Sequence, residues 1–195
     1  MSVIKIKGSS ANTGDFTIQP PDSATDRTLT LPDNTGTIIS TESTVPPKVP
    51  LFKAYLNTTQ SITSSTWTKI AYNTEVIDTD GWYDNTTNYR FTPQQAGYYS
   101  TTAGALIQQC NGDGLISVYK NGSESAGARM FQTSPGGTNR DLVVRGTAII
   151  YLNGSTDYLE YYVYQDSSGV TKNLYDGGGS SDAYASVSAY LMRAD

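Results

Sequence analysis

A short acidic segment, EVIDTDGWYD, is the first place where side chains of this sequence could bind a ligand. It puts four carboxylates within ten residues: Glu75, Asp78, Asp80 and Asp84. Calcium takes about six to eight oxygen ligands, which a loop of carboxylates and carbonyls can supply. The spacing is not that of an EF-hand, and Asp beside Gly or Asn also caps turns. The segment therefore predicts either a calcium site or a solvated turn.

The side chains that most enzymatic catalysis needs are missing. The sequence has no histidine and a single cysteine, Cys110, which excludes Ser-His-Asp and Cys-His catalysis, histidine-ligated metals and an intrachain disulfide. Glycoside hydrolysis needs only two carboxylates at a suitable separation. The candidates lie mostly beside Gly, Ser or Asn, where Asp favours turns: Asp78, Asp80, Asp84, Asp113, Asp141, Asp157, Glu160 and Asp166. We expect no enzyme, no cofactor beyond the possible calcium, and an unreactive thiol at Cys110.

The charge and hydropathy of the chain argue against two classes of partner. Thirteen Lys and Arg against eighteen Asp and Glu give a net charge of −5, and no basic cluster is present to neutralise nucleic-acid phosphates. No apolar run approaches the roughly 20 residues that span a membrane. The N-terminus, MSVIKIKGSS, lacks the apolar region of a signal peptide, so we expect synthesis in the cytoplasm without export.

The composition favours strands over helices. Charged residues make up only 16% of the chain, and tyrosine occurs 15 times. No helical periodicity survives the glycines and β-branched residues. From residue 51 onward, alternating runs recur at the spacing of a β-sandwich. The predicted strands cover residues 51–56, 67–71, 98–108, 115–120, 142–152, 158–164 and 183–192, and Asn121-Gly122 predicts a type I′ hairpin turn.

The first 44 residues differ from the rest. Short alternating segments at residues 4–7, 16–18, 27–32 and 36–39 are separated by turn signals. They carry too few large apolar side chains to form a core, so they must pack against another copy or a larger assembly. Three prolines within residues 45–50 predict a stiff linker. The predicted organisation is an arm at residues 1–44, a linker at 45–50 and a head at 51–195.

Tyrosines recur on strand faces that lie opposite the apolar ones. A two-sheet sandwich buries one face of each strand, so large rings on the second face indicate a further contact. We interpret these faces as parts of one sheet that packs around a threefold axis. The alternative is that tyrosine is simply a good surface residue for strands. The predicted trimer interface comprises Tyr55, Tyr158, Tyr162, Tyr164, Tyr184 and Tyr190.

The segment Tyr83–Tyr99, YDNTTNYRFTPQQAGYY, closely resembles the signature of C1q-like domains. It has an aromatic-Asp pair, an aromatic residue and Phe before a Pro-containing turn, and then Gly-x-Tyr. Residues 117–122 resemble the central hairpin of that family, 157–163 the strand after its "gap" turn, and 186–191 its last strand. The resemblance covers residues 51–195. It implies an all-β, ten-strand, two-sheet C1q/TNF-like jelly roll that forms a homotrimer.

The arm carries a second resemblance. Residues 14–21 and 28–38, the latter reading TLTLPDNTGTI, resemble a segment common in bacteriophage tail-fibre and related virion proteins. This implies that residues 1–44 attach the chain to other virion proteins. Two functions follow: a tail-fibre or tail-tip protein whose head binds a host surface glycan or protein, and a capsid decoration or head-fibre protein with a structural role. A glycan-cleaving enzyme is the weakest alternative.

Overall fold

The computed structural model describes residues 4–7, 15–18, 48–132, 140–176 and 184–195. The chain divides into two units, Met1–Pro46 and Pro47–Asp195, a division that falls inside the predicted linker. In the first unit, β1 (Ile4–Lys7) pairs antiparallel with β2 (Asp15–Ile18), which confirms two predicted arm strands. The other predicted arm strands, the TLTLPDNTGTI segment and residues 45–47 of the linker lie outside the described residues.

The head is built from two antiparallel sheets, which we call sheet I and sheet II. Sheet I comprises β3 (Leu51–Tyr55), β4 (Gln60–Ile62), β6 (Thr74–Asp78), β9 (Ala96–Cys110), β13 (Arg140–Asn153), β15 (Lys172–Leu174) and β16 (Ser186–Ala194). Sheet II comprises β5 (Thr68–Lys69), β7 (Tyr83–Asp84), β8 (Arg90–Phe91), β10 (Gly114–Lys120), β11 (Ser123–Glu124), β12 (Met130–Gln132) and β14 (Leu159–Gln165). The described part of the chain has no helix able to span a membrane.

The strand order confirms the predicted two-sheet jelly roll. Sheet I runs β4-β15-β9-β16-β3-β6, with β13 on the other edge of β9, and sheet II runs β11-β10-β14-β8-β7, with β12 on β10 and β5 on β14. The chain crosses repeatedly between the sheets, for example from β8 to β9, from β9 to β10, from β13 to β14 and from β14 to β15. The long predicted strands are confirmed. Strands of two or three residues add to the expected ten, because such lengths are too short to show an alternating pattern.

Strand β9 organises sheet I. Along one edge it pairs with β13, from Cys110 opposite Arg140 to Ala96 opposite Asn153. Along its other edge it pairs with β16, with Ser100 opposite Tyr190. Because β16 also pairs with β3, four strands share one register across the sheet.

The inner faces of both sheets form one aromatic-rich core. The ring of Phe52 stacks on Tyr83 with ring centroids 4.5 Å apart, and on Phe91 at 4.6 Å. The ring of Tyr99 meets Phe91 edge-on at 5.6 Å. Tyr83, Phe91 and Tyr99, which carry the C1q-like signature, are therefore buried packing residues of the core. Tyr89 of the same segment has a left-handed backbone with φ 49° and lies in the turn before β8, not in a strand.

Two glycines explain local features of the signature and the hairpin. Gly97 follows the first residue of β9, where a β-carbon would collide with the backbone of Arg193 and Ala194 in β16. Only glycine allows the two strands to approach there. In the β10–β11 hairpin, Asn121 and Gly122 have φ values of 53° and 76°, which confirms the predicted type I′ turn.

Buried tyrosine hydroxyls link the sheets through hydrogen bonds. The hydroxyl of Tyr72 donates to the carbonyl of Gly104 at 3.0 Å, and that of Tyr83 donates to the carbonyl of Tyr72 at 2.9 Å. The hydroxyls of Tyr161 and Thr101 are 2.7 Å apart. Burial raises the pKa of Tyr72, Tyr83 and Tyr161 far above the ordinary tyrosine value, and it raises the pKa of Tyr99 to about 12.

We predict that this tyrosine core makes the head sensitive to alkali. Below the unfolded-state pKa of about 10 neither state ionises, so this contribution to stability is fully present. Above that pH the unfolded chain ionises while the folded phenols stay neutral, so the free energy of unfolding should fall between pH 10 and the Tyr99 pKa of about 12. Urea unfolding at increasing pH measures this fall.

Substitution Tyr72→Phe isolates one phenol. It should cost about 1 kcal/mol at neutral pH through the lost hydrogen bond, and make the alkaline fall shallower by up to about 1.4 kcal/mol per pH unit. Tyr164→Phe, which removes a hydroxyl from the surface of sheet II, is the matched control. An identical alkaline slope for Tyr72→Phe and the parent chain would contradict the assignment.

Candidate functional site

The acidic segment folds into two turns, and an aspartate holds the first one together. One carboxylate oxygen of Asp78 accepts the backbone N–H of Gly81 at 3.0 Å, and the other accepts the N–H of Tyr83 at 2.8 Å. Asp80 accepts hydrogen bonds from the Thr79 hydroxyl at 2.6 Å and the Lys48 ammonium at 3.0 Å. These two bonds hold the pKa of Asp80 below its usual range.

A second aspartate, Asp84, holds the following turn. Its Oδ1 accepts the backbone N–H groups of Thr86 at 3.0 Å and Thr87 at 2.9 Å, and its Oδ2 accepts the backbone and side-chain N–H groups of Asn88. The backbone N–H of Thr87, with those of Thr86 and Asn88 and the Asn88 amide, holds the pKa of Asp84 far below its usual range. Asp84 therefore acts as the internal cap of a turn.

The four predicted calcium ligands are not gathered into one group. No three His, Cys, Asp or Glu side chains are placed to hold a metal ion within the described ranges. Glu75 is largely exposed on β6, where partial desolvation of its carboxylate and the nearby charge of Asp78 raise its pKa. Calcium binding by Glu75, Asp78, Asp80 and Asp84 stays a prediction. The structure favours the turn interpretation, because backbone N–H groups already occupy both carboxylate oxygens of Asp78 and of Asp84.

The six predicted interface tyrosines do not share a sheet, so that premise of the trimer prediction is wrong. Tyr55 lies on β3 and Tyr190 on β16, both in sheet I, and Tyr184 lies just before β16. Tyr158 precedes β14, and Tyr162 and Tyr164 lie on β14, in sheet II. Alternation shows which face of a strand a residue occupies, but it does not show which sheet the strand joins.

The outer face of sheet II is covered by its own aromatic side chains. The Tyr162 ring packs on Tyr119 with centroids 4.1 Å apart, and Trp67 packs against Tyr164 at 5.5 Å and Tyr119 at 6.1 Å. The Arg129 guanidinium lies 5.4 Å from the Trp67 ring centroid and pairs with Glu124. All four rings are only partly exposed. The aromatic side chains of this surface therefore already pack against one another and against Arg129 within a single chain.

The outer face of sheet I is different. Its centre carries small side chains, among them Ser100, Thr102 and Ser188, and Gly104 lies beneath the side chain of Arg145. Large apolar groups flank this strip and are exposed, although the rings of Tyr98 and Tyr151 contact each other with centroids 5.4 Å apart. Ile149 is 61% exposed, Tyr190 49% and Tyr98 46%. Register places Ser100 between Ile149 and Tyr190, so two large side chains stand on either side of a small one. We call this surface face I.

Face I contains residues that the sequence predictions missed. Ile149 and Tyr98 are on it, whereas neither is among the six tyrosines. The alternation of β13 could have shown them: Leu142 and Val144 point into the core, whereas Val143 and Ile149 are exposed. Ile149 is more exposed than any of the six predicted tyrosines, and its aliphatic side chain falls outside a prediction based on tyrosines alone.

Other groups considered for chemistry have structural partners. Cys110 is buried, and its thiol lies 3.1 Å from the carbonyl of Gly112. The Lys69 ammonium pairs with Glu160 at 3.0 Å. Lys120 pairs with Asp157 at 2.7 Å. Burial alone would raise the pKa of Asp157, but this ion pair and the hydrogen bond from the Asn121 amide keep that pKa below its usual value. These contacts lock turns and strands and leave no free acid–base pair among them.

Comparison with known proteins supports the fold. No family model matches the chain, and no curated protein matches it. The structure is similar to the globular domain of zebrafish complement 1qA protein, with a TM-score of 0.55 and 17% identity over 75% of this chain and 99% of that one. It is also similar to Eiger TNF from S. frugiperda (TM-score 0.54, 8% identity, 74% and 93% coverage) and to murine APRIL (0.54, 10%, 74% and 100%). The head has a C1q/TNF-like jelly-roll fold.

We predict that Asp84→Asn destabilises the head without any role for calcium. Asn cannot accept the two N–H groups of Asn88 and those of Thr86 and Thr87 at once, so the change should cost about 1 kcal/mol at neutral pH, discounted for solvent screening. A lowered folded-state pKa stabilises above the unfolded value of about 3.9, and this contribution is lost as the pH falls. The difference between variant and parent should therefore shrink below about pH 4.

Melting curves with and without calcium measure both effects. Glu75→Gln, which changes an exposed carboxylate of the same segment, is the control and should not lower stability. A rise in melting temperature on adding calcium to the parent chain, lost in Asp84→Asn, would instead support the metal interpretation.

Proposed function

We propose that this chain is a non-enzymatic, homotrimeric structural protein of a bacteriophage particle, and that its head binds a host receptor. The observation that carries the proposal is face I. A small-residue strip flanked by the exposed side chains of Ile149, Tyr190 and Tyr98 suits close packing of sheets, and exposed apolar patches mark interaction sites. The C1q-like resemblance implies threefold self-association.

Composition of face I supports a partner that is another copy of the chain. Apart from Lys53, Arg145 and Arg193, the rows across the sheet contain hydroxyl, aromatic and aliphatic side chains. The charged and aromatic groups of sheet II, in contrast, are already paired with one another. A self-association surface low in charge avoids burying unpaired ions.

The arm supports placement on a phage particle. Residues 14–21 and 28–38 resemble segments of phage tail-fibre and virion proteins. β1 and β2 form a two-stranded sheet, and such a sheet is not stable alone in water. We therefore propose that residues 1–44 bind other virion proteins and that the trimeric head is displayed from them. The proposed role uses no cofactor.

We predict that Tyr190→Ser dissociates the trimer and Tyr162→Ser does not. The first removes a half-exposed ring from face I, where an interface tyrosine contributes about 2 kcal/mol per copy. The second makes the same change on sheet II, whose aromatic rings cover each other. Ile149→Glu should dissociate the trimer most completely, since it would bury a charge. Sedimentation equilibrium of each variant gives the mass, and circular dichroism checks that the fold persists.

A monomeric parent chain would overturn the trimer. Dissociation by Tyr162→Ser, with face I variants still trimeric, would move the interface to sheet II.

We predict that the full chain is a component of phage particles and competes for adsorption. Mass spectrometry of purified particles whose genome encodes the chain should detect it. Purified parent chain, added to host cells first, should lower the adsorption of those particles. Substituting Leu29→Asp and Leu31→Asp in the arm should reduce incorporation but leave this competition unchanged. Incorporation without any competition would instead indicate a decoration protein.

A further inference from the structure

A polar cavity lies at the end of sheet I where β9 ends. It has a volume of about 510 Å³ and is lined by Gln108, Gln109, Asp141, Val170, Thr171, Lys172 and Asn173. Small-molecule sites in proteins typically have volumes of about 300–1,000 Å³. The lining comes from three strands and the turn before β15, so most of it is fixed by sheet pairing.

Main-chain pairing holds the cavity walls in place. Leu174 lies opposite Ile107 in the β15–β9 pair, and this register puts Asn173 beside Gln108 on the same face. On the other side of β9, the pairing with β13 is irregular between Arg140 and Leu142, at Asp141. The carboxylate of Asp141 accepts the backbone N–H of Gln109 at 3.0 Å. Gln109 has a left-handed backbone with φ 50°, which turns the end of β9.

The polar groups of the cavity have unused hydrogen-bonding capacity. Within residues 48–132, 140–176 and 184–195, the side chains of Gln108, Gln109 and Thr171 make no hydrogen bond. The Oδ1 of Asn173 accepts from the Ser61 hydroxyl at 3.0 Å, which leaves its amide N–H₂ unused. Lys172 also lines the cavity, is only 9% exposed, and has no hydrogen bond or ion pair to any described residue.

These groups match the chemistry of a sugar better than that of other small ligands. Amides and a hydroxyl offer donors and acceptors side by side, as neighbouring sugar hydroxyls require. Val170, 52% exposed, adds an apolar surface for the C–H face of a ring. A phosphate would meet the carboxylate of Asp141 with a single ammonium to balance it. An apolar ligand would leave three amides without partners.

The cavity lies far from the point where the chain enters the head. Leu51 starts β3, and register aligns it with Tyr190 and then with Ser100 on β9. Gln108 is eight residues further along the same strand, which corresponds to about 26 Å at roughly 3.3 Å per residue. A ligand bound there would be at the opposite end of the head from the linker.

We infer that this cavity is a carbohydrate-binding site that recognises a hexose or amino-sugar unit of a surface glycan. Gln108 and Asn173 bind ring hydroxyls, and Thr171 and Gln109 complete the set. The inference rests on the proposed receptor-binding function, for which it supplies the class of ligand.

Saturation-transfer NMR of the full chain with four methyl glycosides tests the inference. The probes are methyl glycosides of glucose, galactose, rhamnose and N-acetylglucosamine. At least one should receive saturation transfer from the parent chain. Gln108→Ala and Asn173→Ala should each weaken its binding about five- to tenfold, since each removes a neutral hydrogen-bonding group. Gln94→Ala removes an exposed amide near the start of β9 and should leave binding unchanged.

Each outcome decides one of the two proposals. No transfer to any of the four glycosides, or transfer that Gln108→Ala leaves unchanged, overturns the cavity as a sugar site. If the parent chain and Gln108→Ala block phage adsorption equally well, receptor binding stands and the cavity fails as its location. If a glycoside binds at the cavity but the chain does not block adsorption, the sugar site stands and the receptor function fails.

Discussion

Strand β9 makes main-chain hydrogen bonds along both of its edges, and the rest of the head depends on this double pairing. One edge fixes β13 and the other fixes β16, which in turn fixes β3. Its inward side chains, from Tyr99 to Ile107, form much of the core wall. Its outward side chains are small in the centre, and so they create the strip of face I. Its last residues line the polar cavity at the end of sheet I, which we call the distal cavity. One strand thus determines the core, the proposed self-association surface and the proposed ligand site.

The outer faces of the two sheets differ in how far their large side chains cover one another. In sheet II, the rings of Tyr119, Tyr162, Tyr164 and Trp67 cover one another. In sheet I, the rings of Tyr98 and Tyr151 pack against each other at 5.4 Å, but serine, threonine and glycine occupy the centre. Ser100 keeps Ile149 and Tyr190 apart, so both side chains stay exposed. The number of tyrosines on a face is therefore a poor guide to an interface. A better guide is how much of each ring is already buried by neighbouring side chains of the same chain.

The fold could be predicted from sequence because its signals are local. The spacing of strands, the Asn121-Gly122 turn and the segment Tyr83–Tyr99 each reflect constraints within a few residues of one another. The sheet to which β14 belongs is set by pairing with β10, about 45 residues earlier, and no local pattern reports that. For the same reason the acidic segment predicted a metal site. The sequence shows the carboxylates, but it does not show the backbone N–H groups that donate hydrogen bonds to Asp78 and Asp84. The distal cavity brings together residues from β9, β13 and β15, so its composition could not be assembled from sequence order.

The opposite placement of linker and cavity has a mechanical consequence. If the head joins a particle through Leu51 and holds a ligand at Gln108, as proposed, a pull between the two acts along the strands, parallel to β3, β16 and β9. The hydrogen bonds that join these strands run perpendicular to that direction and would bear the load together, in shear. Strands loaded in this way cannot unzip one bond at a time. In the proposed role, the head would resist force along the axis between its attachment to the particle and its ligand.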